Sequence, residues 1–260
     1  MQVFTHQMFL DCYTWDPAAA PGRIEAILNE VRDEHTLVEN RPAEHGDIAA
    51  IHTPGHIQDV RHEGLYDIAA LAAGATIQAA TLGLQEPSFA LVRPPGHHAS
   101  AEHAWGFCFF NNMAIALDHL KRAGKIQTAY VLDFDLHYGD GTVNILKPRG
   151  YVTIHNPQGS DRKHYLDEVS GNLAATKVDM IAVSAGFDNH REDWGGLLLT
   201  EDYYAMGQMV REASREQGCG CFAVLEGGYN HRVLGEAVRA FLRGLEGKEM
   251  RAKLDSGTGR

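Results

Sequence analysis

Apolar and polar positions are arranged in blocks along this chain. Phe89-Ala90-Leu91-Val92 runs into Arg93-Pro94-Pro95-Gly96-His97-His98. Ala129-Tyr130-Val131-Leu132 runs into Asp133-Phe134-Asp135-Leu136-His137-Tyr138-Gly139-Asp140. Tyr151 to Ile154 ends in His155, Met180 to Ser184 ends in Ala185-Gly186-Phe187-Asp188, and Phe222 to Leu225 ends in Glu226-Gly227-Gly228-Tyr229. Short continuous apolar runs of this kind predict strands covered on both faces. Val3-Phe4 reads as a first strand and Asp47 to Ile51 as a second short one.

Helical patterns lie around and between these runs. Pro21 to about Glu34 carries Ile24, Ile27, Leu28 and Val31 at helical spacing. Thr53 caps a helix that Pro54 opens and that runs through Val60. Ile68 to Leu84 is alanine-rich and predicts a buried helix. Asn112 to Arg122, Thr200 to Gln217 and Arg232 to Leu245 complete the set, with Gly124 and Gly218 as stops after the first two. The expected architecture is one α/β domain over 1–246, a mainly parallel sheet with helices on both faces, followed by a polar tail over 247–260.

Polar residues collect after each strand, and open parallel sheets place sites at the carboxyl ends of their strands. His97, His98, Asp133, Asp135, His137, Asp140, Asp188 and Tyr229 are therefore expected in one crevice. In extended chain, residues two apart share a face. Asp135 and His137 with Asp188 would give two oxygens and one nitrogen, a donor set suited to a divalent metal with a position left open. One of His97 and His98 would move the proton, and Asp133 and Asp140 are the acidic partners available to orient them. The Tyr229 hydroxyl, brought close by Gly227-Gly228, would donate to a developing oxyanion. Such parts suit hydrolysis of an amide or ester by water that a metal activates.

Composition narrows the partners. At 260 residues, with 44% hydrophobic and 22% charged positions, the chain is long enough for one sizeable core. A net charge of -11 argues against nucleic acid and is compatible with a cationic amine. No apolar run is long enough for a membrane span, and the N-terminus has no signal-peptide pattern, so a cytoplasmic location is expected. Cys12, Cys108, Cys219 and Cys221 show no zinc-knuckle spacing, and reduced thiols are expected. His155 reads as a buried, satisfied residue. His6, His35, His45, His52, His56, His62, His103, His119, His164, His190 and His231 read as surface or capping residues. Trp105, Phe107, Phe109 and Phe110 read mainly as core, with one or two along a substrate channel.

Five motifs in order resemble the zinc-dependent histone deacetylase and acetylpolyamine amidohydrolase family, which has an arginase-like α/β fold. They are Arg93 to Ala99, Gly106 to Asn112, Asp133 to Gly141, Val183 to Asp188 and Leu225 to Tyr229, and the resemblance covers about Pro21 to Leu245. The Leu-Glu-Gly-Gly-Tyr form is similar to the class II and bacterial branch. The resemblance implies Asp135, His137 and Asp188 as ligands of Zn2+, with Fe2+ or Co2+ as other occupants. It implies His98 as general base and acid with Asp140 behind it, His97 as an electrostatic histidine with Asp133, and Tyr229 as oxyanion donor. Gly106 and Phe107 would form the floor and one wall of an acyl-lysine tunnel, with Gly227 also against the substrate. A structural K+ would sit on Asp133, Asp135, His137, Thr153 and Ile154.

The chain also departs from the family pattern. The segment after His155, which usually supplies a second aromatic wall, is much shorter here. Asp193-Trp194-Gly195-Gly196 is one residue shorter than its counterpart and puts Trp194 at the rim, and Asp16-Pro17 stands where the family has His-Pro. The expected activity is hydrolysis of an N-acyl, chiefly N-acetyl, amide of a small amine such as an acylpolyamine. The alternatives are an N-acetyl-lysine protein deacetylase, an arginase-like ureohydrolase, and a weakly catalytic module that binds acyl-amines. A homo-oligomer in which a neighbour replaces the short loop is left open.

Overall fold

The apolar runs form the strands, and their polar ends lie along one edge of the sheet. A computed structural model of the chain describes residues 1–250; positions 251–260 of the expected polar tail lie outside the described residues. β1 spans Gln2–Thr5, β2 Thr36–Glu39, β3 Ser88–Ala90, β4 Ala129–Asp133, β5 Val152–His155, β6 Met180–Ala185 and β7 Gly220–Leu225. These strands make one sheet in the order β2-β1-β3-β7-β6-β4-β5, and every pairing is parallel. The middle strands β3, β7, β6 and β4 are buried along almost their whole length, while the edge strands β2 and β5 are partly open to solvent. Continuous apolar character therefore marks the centre of the sheet, and Tyr151 to Ile154 is less covered than its composition implies.

The helices are α1 (Arg23–Val31), α2 (His45–Ala49), α3 (Pro54–His62), α4 (Tyr66–Gly83), α5 (Asn112–Arg122), α6 (Asp140–Leu146), α7 (Arg162–Ala175), α8 (Thr200–Gln217) and α9 (His231–Glu246). On one face α4 packs on β1, β3 and β7 and carries α5. On the other, α8 packs on β6 and β7, α7 and α9 pack on α8, and α1 packs on α9. No helix among the described residues is long and apolar enough to cross a membrane.

Three local readings change. Asp47 to Ile51 is not a strand: His45–Ala49 is helical, and the strand beside β1 is Thr36–Glu39. Ile48 and Ile51 lie three apart and are both buried, which a helical turn achieves and a strand does not. The sequence pattern does not announce α6 or α7. α6 starts inside the polar cluster, and α7 buries only Tyr165, Val169 and Leu173, a narrow stripe at every fourth residue. His35, His52, His56 and His190 are buried, not surface residues. Each has a local partner; His56 Nε2, for example, lies 2.7 Å from the Phe109 carbonyl.

α4 shows how small residues let the chain pass close. Ala43 N donates to Ala70 O at 2.8 Å and Asn40 Nδ2 to Leu71 O at 2.9 Å, so residues 40–43 lie flat on the helix. A Cβ on Gly74 would stand 2.0 Å from the Arg41 carbonyl oxygen and 2.6 Å from Ala43 N. Both are backbone atoms that cannot swing aside. In an open helix interior, Gly to Ala would stabilise by about 1 kcal/mol. Gly74→Ala should instead destabilise by about 1–3 kcal/mol, as overpacking does. Thermal or denaturant unfolding gives the sign directly.

Candidate active site

The four middle strands deliver the polar clusters to one crevice. After β4, Asp135 and His137 follow Asp133; after β6 comes Asp188; after β7 come Glu226 and Tyr229; and the long connection from β3 to α5 carries His97 and His98. Asp135, His137 and Asp188 each offer a ligand atom, and these atoms lie within 4.8 Å of one another. His137 Nδ1 stands 3.2 Å from Asp135 Oδ1 and 3.1 Å from Asp188 Oδ2. Backbone groups hold the carboxylates from behind. Gly227 N donates to Asp135 Oδ2 at 2.8 Å, His137 N to Asp135 Oδ1 at 2.9 Å and Leu136 N to Asp188 Oδ1 at 3.0 Å.

One oxygen is left over: Asp188 Oδ2 is buried without a hydrogen bond and faces the imidazole nitrogen. A buried carboxylate oxygen in that state asks for a cation. The adjacent carboxylates of Asp135 and Asp188 push the His137 pKa up to about 10, and burial plus the Asp135 charge push Asp188 up to about 6. Burial opposes ionisation of Asp135, yet His97 and the bonds from His137 and Gly227 hold its carboxyl below the usual range. The cluster thus gathers positive charge, and a divalent ion answers that demand with the N and O donors it prefers. The residues fit a metal.

Two histidine–carboxylate pairs flank the cluster. His97 Nδ1 donates to Asp133 Oδ2 at 3.1 Å, and His98 Nδ1 donates to Asp140 Oδ1 at 2.7 Å. Their rings sit 4.0 Å apart, yet their charges differ. Burial favours a neutral His97, but Asp135 and Asp133 hold its pKa well above the usual value. Burial and the neighbouring His97 charge push His98 down to about 4. The two shifts run in opposite directions, favouring the protonated form of His97 and the neutral form of His98, whose Nδ1 proton points to Asp140.

Aromatic rings close the mouth. Trp105 stacks on His98 at 3.8 Å, His98 meets His137 at 5.9 Å, His137 meets Trp194 at 6.0 Å, Trp194 stacks on Tyr229 at 4.1 Å, and Tyr229 meets Phe107 at 5.9 Å. Phe107 is two residues from Trp105, so the chain completes the circle. Gly106 has φ 60° and Phe107, without glycine's freedom, φ 67°. A Cβ on Gly106 would lie 2.4 Å from His98 Cδ2, so this turn presses against the imidazole. Trp105 is a correction to the core reading: it is half exposed, and Nε1 donates to Asp140 Oδ2 at 2.9 Å.

Other placements differ from the motif reading. Register sets Thr153 opposite Tyr130 and Ile154 opposite Val131, at least two pairings short of Asp133, and Thr153 is exposed. Thr153 and Ile154 thus lie on the neighbouring strand β5, before the level of Asp133. Asn156 is nearer, since its Oδ1 accepts from Gly139 N at 2.8 Å. His155 is half-buried and satisfied by the Tyr130 hydroxyl and Glu168, each at 2.9 Å.

Sequence reasoning missed three supporting residues. Arg23 is fully buried and donates to the Gly228 and Glu226 carbonyls at 2.7 and 2.6 Å, with its guanidinium 5.5 Å from the Tyr229 ring. Arg93, also buried, donates to the Ala20 and Asp11 carbonyls. Glu226 accepts from Gly96 N at 2.7 Å, His97 N at 3.2 Å and Ser184 Oγ at 3.1 Å. The Arg23 signal was present: with Ile27 and Val31 it occupies the buried stripe of α1 at i, i+4 and i+8.

A parallel α/β sheet of this order carrying a metal-competent cluster is the architecture of the deacetylase fold. The solved structure of the HDA15 HD domain superposes with a TM-score of 0.82, covering 96% of this chain and 90% of that one at 24% identity. The family model described as the histone deacetylase domain matches residues 18–165 and 152–245. A "Probable deacetylase" of Methanothermobacter thermautotrophicus is 33% identical over 88% of this chain and 85% of its own. A "Histone deacetylase-like amidohydrolase" of Pseudomonas aeruginosa is 30% identical over 64% of this chain and 55% of its own. The chain belongs to the histone deacetylase family. Membership implies a hydrolase of the deacetylase and amidohydrolase kind.

The Glu226 carboxyl is pushed up to about 7 by burial and by Asp133, against the pull of His97. A raised carboxyl stabilises the fold fully below its unfolded value, and that contribution is lost as pH rises through the folded value. In metal-stripped protein, wild type should lose stability relative to Glu226→Gln between about pH 4.5 and pH 7. A melting-temperature gap that is constant or widens in favour of wild type over that range would show that the carboxyl does not titrate as placed.

Proposed function

We propose that the protein hydrolyses an N-acyl amide, chiefly an acetyl group on a small amine, with water activated by a metal held on Asp135, His137 and Asp188. The observation that carries this reading is the convergence of those three ligand atoms, one of them the unbonded Asp188 Oδ2, between the His97–Asp133 and His98–Asp140 pairs. Zn2+ suits the donor set best, with Fe2+ or Co2+ as other occupants. When bound, the ion supplies Lewis-acid polarisation of the acyl carbonyl and acidifies water.

The chain's own groups do the rest. His98 Nε2 takes a proton from water, and the same nitrogen returns one to the leaving amine. Asp140 keeps the His98 tautomer correct through Nδ1. His97, held as a cation by Asp133 and Asp135, stabilises negative charge beside the reacting carbon. Tyr229 donates its hydroxyl to the oxyanion. Phe107 and Trp194 flank the tyrosine as walls, and Gly106 and Gly227 let the backbone lie against the acyl group. A K+ would draw on the backbone carbonyls of the Asp133–His137 segment and on the Asp133 carboxylate.

Two features support a small amine. The net charge of -11 attracts a cationic leaving group, and the rim indoles Trp105 and Trp194 are half exposed, flat faces beside which a small amine can lie. The second reading, an N-acetyl-lysine protein substrate, rests on the printed names of relatives, such as the chloroplastic histone deacetylase 14 of Arabidopsis thaliana, of which this chain spans 47%. Comparing kcat/KM for acetylputrescine, acetylspermidine and an acetyl-lysine peptide decides between them. Preference for the peptide would overturn the small-amine reading.

Asp188→Ala should lose the metal on elemental analysis while the protein stays folded; full occupancy would remove Asp188 from the ligand set. Tyr229→Phe should lower kcat by about 10²–10³ with little change in KM, since the hydroxyl acts mainly in the transition state. A loss confined to KM would assign the tyrosine to ground-state binding instead.

A further inference from the structure

The indole of Trp105 touches both members of the His98–Asp140 pair. Its ring lies on the imidazole at a centroid distance of 3.8 Å and an interplanar angle of 30°. Its Nε1–H donates at 2.9 Å to Asp140 Oδ2, the oxygen that His98 leaves free. Asp140 opens α6 and is a third exposed, so without a second donor its carboxylate would be free to rotate toward water. On its other face His98 meets the His97 ring at 4.0 Å. The imidazole is thus held between a histidine and a tryptophan, with its acidic partner fixed at both oxygens.

We propose that Trp105 is a positioning residue for proton transfer, holding His98 by stacking and Asp140 by its indole N–H so that the two stay in register as substrate enters. The proposal rests on the reading of His98 as the base. It makes the tryptophan a part of the catalytic support as well as a rim residue. The stack fixes the tilt of the imidazole and so the direction of its free Nε2 lone pair. The indole N–H fixes the carboxylate that keeps the proton on Nδ1. Water at the open mouth competes for both jobs, and the half-exposed indole excludes it from that side of the ring.

The test is a double-mutant cycle in the metal-loaded full chain, with the best substrate of the acetylamine and acetyl-lysine panel. Trp105→Phe keeps an aromatic ring and removes the donor; Trp105→Leu removes both. Expected is a fall in kcat of ~3–10-fold for Phe and ~10–30-fold for Leu, fractions of the 10²–10⁴ that a general base contributes, with KM within about twofold. In an Asp140→Ala background, where no side-chain acceptor remains, the Trp105→Phe penalty should vanish. A penalty that multiplies with Asp140→Ala, or one that appears in KM alone, would make Trp105 a substrate wall and overturn the proposal.

His98→Ala, run beside these variants, separates the two failures. If it keeps activity, the base reading falls and this proposal falls with it. If it is inactive while Trp105→Phe equals wild type, only the role of Trp105 is wrong. A readout independent of turnover is the indole N–H signal that Trp105→Phe removes from a proton–nitrogen NMR spectrum. Asp140→Ala should shift that signal and speed its exchange with water. An indole signal indifferent to Asp140→Ala would refute the hydrogen bond on which the proposal stands.

Discussion

Two buried carboxylates share one cavity at the ends of neighbouring strands β4 and β6, and the site is arranged around their mutual repulsion. Asp135 and Asp188 approach the same imidazole nitrogen at 3.2 and 3.1 Å. Like charges this close cannot both ionise in a buried site without compensation. Part of the answer is fixed and dipolar: the N–H groups of Gly227, His137 and Leu136. The remainder is a demand for positive charge. The same negative field raises His97, and burial together with His97 lowers His98. The opposite shifts of the two histidines therefore follow from one electrostatic constraint.

That constraint explains which parts of the molecule the sequence displays. Buried middle strands must be continuously apolar, and the chain must turn polar where they end, so the sheet and its active edge are legible as blocks. Asp133, Asp135, His137 and Asp188 follow from strand periodicity and position. Register is not legible, because a shift along an edge strand such as β5 leaves the pattern unchanged; that Thr153 stands opposite Tyr130 and Ile154 opposite Val131 is visible only in the fold. Asp47 to Ile51 misleads because five residues are too few to separate a helical from an extended period. Buried histidines such as His56, and the guanidinium of Arg23, look like surface residues until a long-range carbonyl appears beside them. Trp105 looks like core because aromatic content alone does not say which face of a ring is covered.

The mouth combines residues with different structural support. The His97 backbone and the segment before Tyr229 are backed by buried polar contacts from Glu226 and Arg23, whereas Trp105 and Trp194 come from connections and remain half exposed. Loops tolerate changes of length that a buried sheet does not. The polar cluster is thus carried by the frame, and the rim by connections, among them the Trp194 segment where this chain departs from the family pattern.

The buried Arg23 has a further consequence for motion. Its guanidinium holds the carbonyls on either side of Gly227, in the segment that leads to Tyr229, while Arg93 holds the Ala20 and Asp11 carbonyls that precede α1. Moving the tyrosine segment outward would strand a buried cation, so residues 11–23 and 226–229 must open together or not at all. Hydrogen exchange is therefore expected to show them as a single cooperative unit, although some 200 residues of chain separate them. The terminal region that looks most peripheral in the sequence thus sets how rigidly the Tyr229 segment is held.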